Sequence, residues 1–493
     1  MPLVFGALVT NQDYRCYKYV APTELHAIHH RSFKLPDDLT AFSASELVAL
    51  IRSRAVSPVE IIEAHLRRIE EANSSLNAIV TIADDAIDSA REAEDALMKS
   101  QEVGALHGLP ITIKDTIDTK GLRTTYGSRL RAEHLPDRDA TVVARLKAAG
   151  AIILGKTNTP EMAIPYETDN PVFGRTNNSH DFTRTSGGSS GGEAAAIAAH
   201  LSPAGIGSDL SGSIRVPAHF CGVAGLKPTT GRVPMDGHMP EAVGALSLGA
   251  CIGPMARRIA DLELLFDVIS RSSAESGHPD QLRSLRVAFY VDDGVAPVTD
   301  ETAQAVRAAA ELLRVSGFEV REEQPPGISE GSRLWIELFA EAAQQQLREF
   351  YRGREDQAGP LVLPMLREKD GSASLAEKVN SAERRAKAVV ERERLREELL
   401  RWMKQTPLIV APVGAISAFE HGTKRIEING KSISVFRAFS YSQTFNVFGL
   451  PAVAVPITRT KQGLPIGVQL IGVPNSEHLL LAAAEILERA NES

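Results

Sequence analysis

Two serines stand in glycine-rich turns, Ser189 within Gly187-Gly-Ser-Ser-Gly-Gly192 and Ser213 within Ser211-Gly-Ser-Ile-Arg215, 24 positions apart with an alanine-rich apolar run between them. Glycine frees the backbone and lets another backbone or a ligand come close. Two such turns, each presenting a serine, are suited to acyl chemistry. A serine hydroxyl is a weak nucleophile until a base takes its proton, and a lysine kept neutral by burial can be that base. Lys114 ends the apolar run Leu109-Pro-Ile-Thr-Ile-Lys114. In an extended chain Thr112 and Lys114 share one face while Ile111 and Ile113 share the other. A lysine at a strand end is more often a surface charge, so on these residues alone Lys114 is one candidate base.

Two known patterns compete for the same region. Gly150-Ala-Ile-Ile-Leu-Gly-Lys-Thr157 spells a phosphate loop, which needs a strand before its first glycine and a helix starting at the lysine. Here the four central residues read as a strand and Asn158-Thr-Pro160 interrupts any helix, so no nucleotide cofactor is expected. Gly187-Gly-Ser189-Ser-Gly191 fits the nucleophile elbow G-x-S-x-G, which follows a buried strand and needs a downstream acid and histidine. Residues 180–186 do not read as a buried strand, and none of His200, His219, His238, His421 and His478 stands in a revealing local setting. His26, His29 and His30 are spaced like metal ligands but lack a carboxylate or cysteine cluster, so no metal site is expected.

The elements that must hold these groups are legible in outline. Ser43-Ala-Ser-Glu46 and Ser57-Pro-Val-Glu60 read as capping boxes, the second with proline at the first helical position, and apolar residues follow each at helical spacing. A further helix is expected from about Ala86 to Lys99 and another near residues 141–149, with one long exposed helix over about 374–404. Residues 110–114 and 151–155 read as buried strands, with more near 285–291, 408–411, 452–456 and 466–471. The alternation predicts an α/β fold, a single large domain whose central mixed sheet is covered by helices on both faces. Length alone would suggest about three domains. Without a low-complexity linker or internal repeat, one catalytic domain over 41–493 behind an N-terminal extension of 1–40 is the better reading.

A net charge of −8 with 24% charged residues argues against nucleic-acid binding through bulk electrostatics. The three cysteines, Cys16, Cys221 and Cys251, are too few and too scattered for a disulfide framework. The N-terminus lacks a basic stretch ahead of its apolar patch, and the run 194–203 is too short to span a bilayer. A cytoplasmic protein without a membrane span is expected.

Three ordered segments resemble the amidase signature family: His107-Gly-Leu-Pro-Ile-Thr-Ile-Lys-Asp-Thr-Ile-Asp118, the stretch 187–199 and the stretch 205–234. The separation of Ser189 from Ser213 matches the family, and pieces at 155–163, 253–257, 445–456 and 463–472 agree. The resemblance runs from about residue 40 to the C-terminus. It implies Ser213 as the nucleophile, Ser189 as a bridging serine after a cis peptide, and Lys114 as a neutral general base. It further implies an oxyanion hole from the backbone N–H groups of Leu210, Ser211, Gly212 and Ser213, supported by Ser190, Asp209 and Arg215. The implied activity is hydrolysis of a small-molecule carboxylic amide through an acyl-serine, with no cofactor; a homodimer stays open.

Ser211 departs from the family, which commonly has glycine there. If that position needed positive φ, serine would strain it. Cys221 reads as a small buried apolar residue. Two rivals keep the same fold: the glutaminase subunit of a tRNA-dependent amidotransferase, and a catalytically inactive binding scaffold. Pocket walls are expected in 121–135, 235–250 and 330–370, which the motifs leave uncovered.

Overall fold

Both capping boxes form as written. Ser43 Oγ accepts from the Glu46 N–H while Glu46 reaches back to the Ser43 N–H, opening the helix Ala44–Arg52; Ser57 and Glu60 do the same for Pro58–Leu76, with Pro58 where no N–H is needed. The computed structural model describes residues 38–271, 284–366 and 375–492, together with Leu282, so Cys16, His26, His29 and His30 lie outside the described residues. Thr40–Ser493 fall into one compact unit.

An eleven-stranded sheet runs through that unit. In chain order its strands are β1 (Ile79–Ile82), β2 (Pro110–Lys114), β3 (Ile152–Thr157), β4 (Ala204–Asp209), β5 (Ala224–Lys227) and β6 (Cys251–Ala256). They continue with β7 (Arg286–Phe289), β8 (Glu319–Glu322), β9 (Leu408–Pro412), β10 (Ala452–Arg459) and β11 (Pro465–Ile471). The spatial order is β1-β3-β2-β4-β6-β5-β10-β11-β9-β7-β8. The sheet is mixed: β2 is parallel to both β3 and β4, with Lys114 opposite Thr157 and Ile113 opposite Ile206, whereas β4 is antiparallel to β6. Helices cover both faces. Pro58–Leu76, Ala86–Met98, Gly191–Ala198 and Arg215–Cys221 pack in one set, and Thr141–Ala148, Ile259–Ser270, Asp300–Val315 and Glu477–Glu492 in another.

The long helix, Leu375–Met403, departs from the exposed helix expected of its charge. Ala388, Arg392, Leu395, Leu399 and Met403 are buried, a stripe at helical spacing hidden among the charges. Leu395, Leu399 and Met403 join an extended core cluster that includes Phe445, Phe448 and Ile409, and Arg392 and Arg396 donate to the carbonyls of Val447 and Phe448 at 2.5 and 2.9 Å. The segment before Ser189 is also not wholly irregular: Asp181–Thr185 pairs with Asn177–Asn178 as a small ribbon outside the main sheet. It is not the buried strand a nucleophile elbow requires.

Candidate active site

Every residue of β2 is buried. As the alternation predicts, Thr112 and Lys114 face the same way, toward the helix Gly191–Ala198: Thr112 Oγ1 donates to Glu193, and Lys114 Nζ lies 2.6 Å from Ser189 Oγ and 3.0 Å from Ser208 Oγ. Burial lowers the lysine pKa from 10.5 to about 7, against the pull of the Asp209 and Glu193 carboxylates. Neutral lysine is thus well populated near pH 7.

The turn that carries Ser189 is tied down on all sides. The Gly188–Ser189 peptide is cis. Thr168 Oγ1 donates to the Gly187 carbonyl at 2.8 Å and Thr159 Oγ1 to the Ser189 carbonyl at 3.0 Å. Ser190 links the turn to both neighbouring segments: its N–H donates to the Ser213 carbonyl at 3.1 Å, and its Oγ lies 3.3 Å from both the carbonyl oxygen and the N–H nitrogen of Ser208. That places the backbone of Ser213 beside the residue following Ser189. Ser213 itself keeps 7% of its surface exposed, against 1% for Ser189 and none for Lys114, so it is the most accessible of the three.

Asp209, the last residue of β4, organises the loop to Ser213. Its carboxylate accepts from the N–H groups of Gly212 and Ile214 at 2.8 and 3.1 Å, from Asn446 at 2.9 Å, and from Arg215 Nε and Nη2 at 3.1 and 3.0 Å. Burial works to raise its pKa, but the Arg215 charge and these hydrogen bonds win and hold it well below the usual carboxylate range. Arg215 is itself fully buried and spends its remaining N–H groups on Gln469, Asn446 and the Ser442 carbonyl. An ion pair of this kind suits a buried site because each guanidinium nitrogen has a partner.

The loop's carbonyls are each held by a donor. Trp335 Nε1 donates to Leu210 O at 2.8 Å, the Tyr166 hydroxyl to Ser211 O at 2.7 Å, Val216 N–H to Gly212 O at 2.7 Å, and Ser190 N–H to Ser213 O. Because C=O and N–H point oppositely across a trans peptide, fixing Leu210 O also fixes the Ser211 N–H, and fixing Gly212 O fixes the Ser213 N–H. Of the four expected oxyanion donors, Gly212 has its N–H engaged by Asp209 in this structure. The concern over Ser211 resolves in the geometry: the left-handed residue is Gly212, with φ of 106°, and Ser211 is not among the positive-φ positions.

Glu193 and Ser208 lie inside the resembling stretches without having been singled out there, while His238, Tyr166 and Trp335 carry no local sequence signal that marks them for the site. His238 Nε2 lies 2.8 Å from Ser208 Oγ, directly behind the lysine. Glu193 is buried, bridges Thr112 and Thr157, and has its pKa raised to about 7 by burial. His238 and Trp335 fall in two of the segments expected to wall the pocket. The other downstream histidines contact different parts of the chain: His200 the Thr40 carbonyl, His219 the Ile416 carbonyl, His421 Glu167 and His478 Glu263. Cys221 is buried, and burial pushes its thiol far up, away from thiolate chemistry. Lys156, of the phosphate-loop spelling, is buried in β3 and donates to Ile117 O and Thr119. Among the described residues no cluster of three His, Cys, Asp or Glu side chains could hold a metal ion, and no helix is long and apolar enough to cross a membrane.

A family model described as Amidase matches residues 60–481. The chain is 30% identical to a glutamyl-tRNA(Gln) amidotransferase subunit of Clostridium acetobutylicum, over 92% of this chain and 99% of that protein. It is also 30% identical to fatty-acid amide hydrolase 2 of Homo sapiens, over 92% of this chain and 90% of that one. Its fold is similar to that of a solved 6-aminohexanoate cyclic dimer hydrolase, with a TM-score of 0.79 and 30% identity across 92% of this chain and 98% of that one.

Proposed function

Since the chain belongs to the amidase signature family, we propose that it hydrolyses a linear carboxylic amide through Ser213, Ser189 and Lys114, with residues 41–493 as the catalytic unit. Ser213 Oγ attacks the amide carbonyl while its proton passes through Ser189 to the lone pair of Lys114. The oxyanion that develops is taken up by the N–H groups of Leu210, Ser211, Gly212 and Ser213, Gly212 sharing its hydrogen with Asp209. Each such donor contributes on the order of 3 kcal/mol to the transition state. The proton then returns through Ser189 to the leaving nitrogen, the C–N bond breaks, and amine or ammonia departs. Water, deprotonated along the same route, releases the carboxylate and restores Ser213.

The observation that carries this reading is the 2.6 Å contact between Lys114 Nζ and Ser189 Oγ in a fully buried setting, with the lysine pKa near 7. The test is covalent labelling with a fluorophosphonate beside an amide hydrolysis assay. Labelling and hydrolysis are both expected to vanish in Ser213→Ala; labelling that persists there refutes Ser213 as nucleophile, and a parent that neither labels nor hydrolyses favours the inactive scaffold.

One observation favours a second reading. The similarity to an amidotransferase component is as extensive as that to an amide hydrolase. In that case the same site would release ammonia from glutamine for a partner, and copurifying subunits with ATP-dependent transfer would distinguish it.

A further inference from the structure

A neutral amine has two N–H bonds and one lone pair, and the lone pair alone can take a proton. For Lys114 to receive one from Ser189, the lone pair must face Ser189 Oγ and an N–H must be held elsewhere. Ser208 Oγ, 3.0 Å from Nζ, is the acceptor in place, provided its own hydrogen points away from the lysine. His238 gives that hydrogen a destination, because Nε2 lies 2.8 Å from Ser208 Oγ. The other ring nitrogen, Nδ1, lies 2.9 Å from the Pro240 carbonyl oxygen. A carbonyl only accepts, so in the neutral ring Nδ1 carries the hydrogen and Nε2 is left with a lone pair. Thr116 Oγ1, 3.2 Å from Nε2, adds a second, longer contact at the same nitrogen. Burial, and then the Lys114 charge, push the His238 pKa down to about 3, which keeps the ring neutral at any working pH.

We propose that His238 is a positioning residue that sets the direction of every hydrogen in the chain behind the base: Nδ1–H to Pro240, Ser208 O–H to Nε2, Lys114 N–H to Ser208, and Ser189 O–H to the lysine lone pair. This rests on the reading of Lys114 as general base. Without an acceptor at Nε2, the Ser208 hydroxyl turns and donates into the lysine lone pair, occupying the site where the Ser189 proton must land. The same bond stabilises the neutral amine and so lowers the lysine pKa further. The charges that bear on Lys114, Asp209 from the end of β4 and Glu193 from the helix Gly191–Ala198, are untouched by a substitution at His238.

The experiment measures kcat and KM across the neutral pH range for the parent, His238→Phe, His238→Gln, Ser208→Ala and the Ser208→Ala/His238→Phe double variant, with thermal unfolding of each. His238→Phe is expected to lower kcat roughly tenfold to a hundredfold with little change in KM, and to move the acid limb of the profile to lower pH. His238→Gln, whose Oε1 can stand where Nε2 stood, recovers most of the rate and returns the limb. Ser208→Ala loses a similar factor, and adding His238→Phe to it costs little more, because the histidine acts through that hydroxyl. Should His238→Phe fail to fold, His238→Asn serves instead: its amide can still reach Pro240 but leaves no acceptor at Ser208. A folded His238→Phe or His238→Asn with parental kcat and limb, or losses that multiply fully with Ser208→Ala, overturns the role given to His238. If Lys114→Ala proves as active as the parent, the base reading itself falls.

Discussion

Replacing Lys114 by methionine is expected to abolish amide hydrolysis and, in the same step, to make the protein more stable. The lysine pKa falls from 10.5 to about 7 on burial, so at pH 7 the folded chain holds a group that the unfolded chain would rather keep protonated. At about 1.4 kcal/mol per pH unit, that mismatch costs the native state about 4 kcal/mol at pH 7. Below pH 7 the cost is full, because the folded protein must then bury the charge itself. As pH rises from about 7 toward 10.5 the unfolded state progressively gives up its extra proton, and the cost disappears. Methionine removes the ionisable group, keeps most of the volume, and gives up the contacts to Ser189 and Ser208, each worth about 1 kcal/mol. The net gain is therefore about 2 kcal/mol at neutral pH and falls to zero or below in mildly alkaline solution. Urea denaturation of parent and variant at a series of pH values measures the difference, and titrating groups that do not feel the Lys114 charge cancel between the two proteins, whereas Glu193 and His238 respond to its loss. A variant less stable than the parent at neutral pH, or a gain that does not shrink with rising pH, refutes the picture of a desolvated neutral lysine.

Because the base works only when neutral, kcat/KM is expected to fall about tenfold per pH unit below an acid limb near 7. Glu193→Gln removes a carboxylate that raises the lysine pKa, so its limb moves to lower pH; a profile flat down to mildly acidic pH argues against Lys114. Arg215→Leu strands the Asp209 carboxylate in a fully buried position, and equilibrium unfolding should register a loss of about 3–5 kcal/mol. Gly212→Ala combines a φ of 106° with a Cβ that would approach Ser442 Cβ to 2.6 Å; kcat is expected to drop sharply with a stability loss of about 1–3 kcal/mol in thermal melts.

The strands on either side of the site are unequally visible in the sequence. β2, with Ile-Thr-Ile between Pro110 and Lys114, and β3, with its Ile-Ile-Leu, declare themselves by β-branched and apolar runs. β4, Ala-Gly-Ile-Gly-Ser-Asp, is missing from the strands expected of the sequence, because its two glycines depress strand character. They stand there for a packing reason: a Cβ at Gly205 would fall 1.9 Å from Glu193 Oε1, and one at Gly207 would fall 2.7 Å from Ser190 Oγ. The glycines that disguise the strand are what allow Glu193 and Ser190 to lie against it. Lys114, Ser189 and Ser213 were legible as types in a resembling order, since each sits inside a contiguous motif. His238 and Trp335 were not, because their meaning comes from partners 30 and 125 positions away, Ser208 and Leu210, which no local pattern connects. The burial of one face of Leu375–Met403 was masked for a related reason: Arg392 and Arg396 sit at or beside the buried stripe and point their guanidinium groups at chain carbonyls.

Three of the donors that hold the four carbonyls from Leu210 to Ser213 come from separate parts of the chain, Trp335, Tyr166 and Ser190, and the fourth, Val216, from the helix that follows the loop. The loop is therefore a keystone, with a shape that exists only while all of those segments are simultaneously in place. Loosening any one of them, by a distant substitution, mild denaturant or warming, releases a carbonyl and lets the opposing N–H swing while the sheet stays intact. Turnover thus becomes a more sensitive gauge of native integrity than circular dichroism, and a denaturation series followed by both should lose activity first.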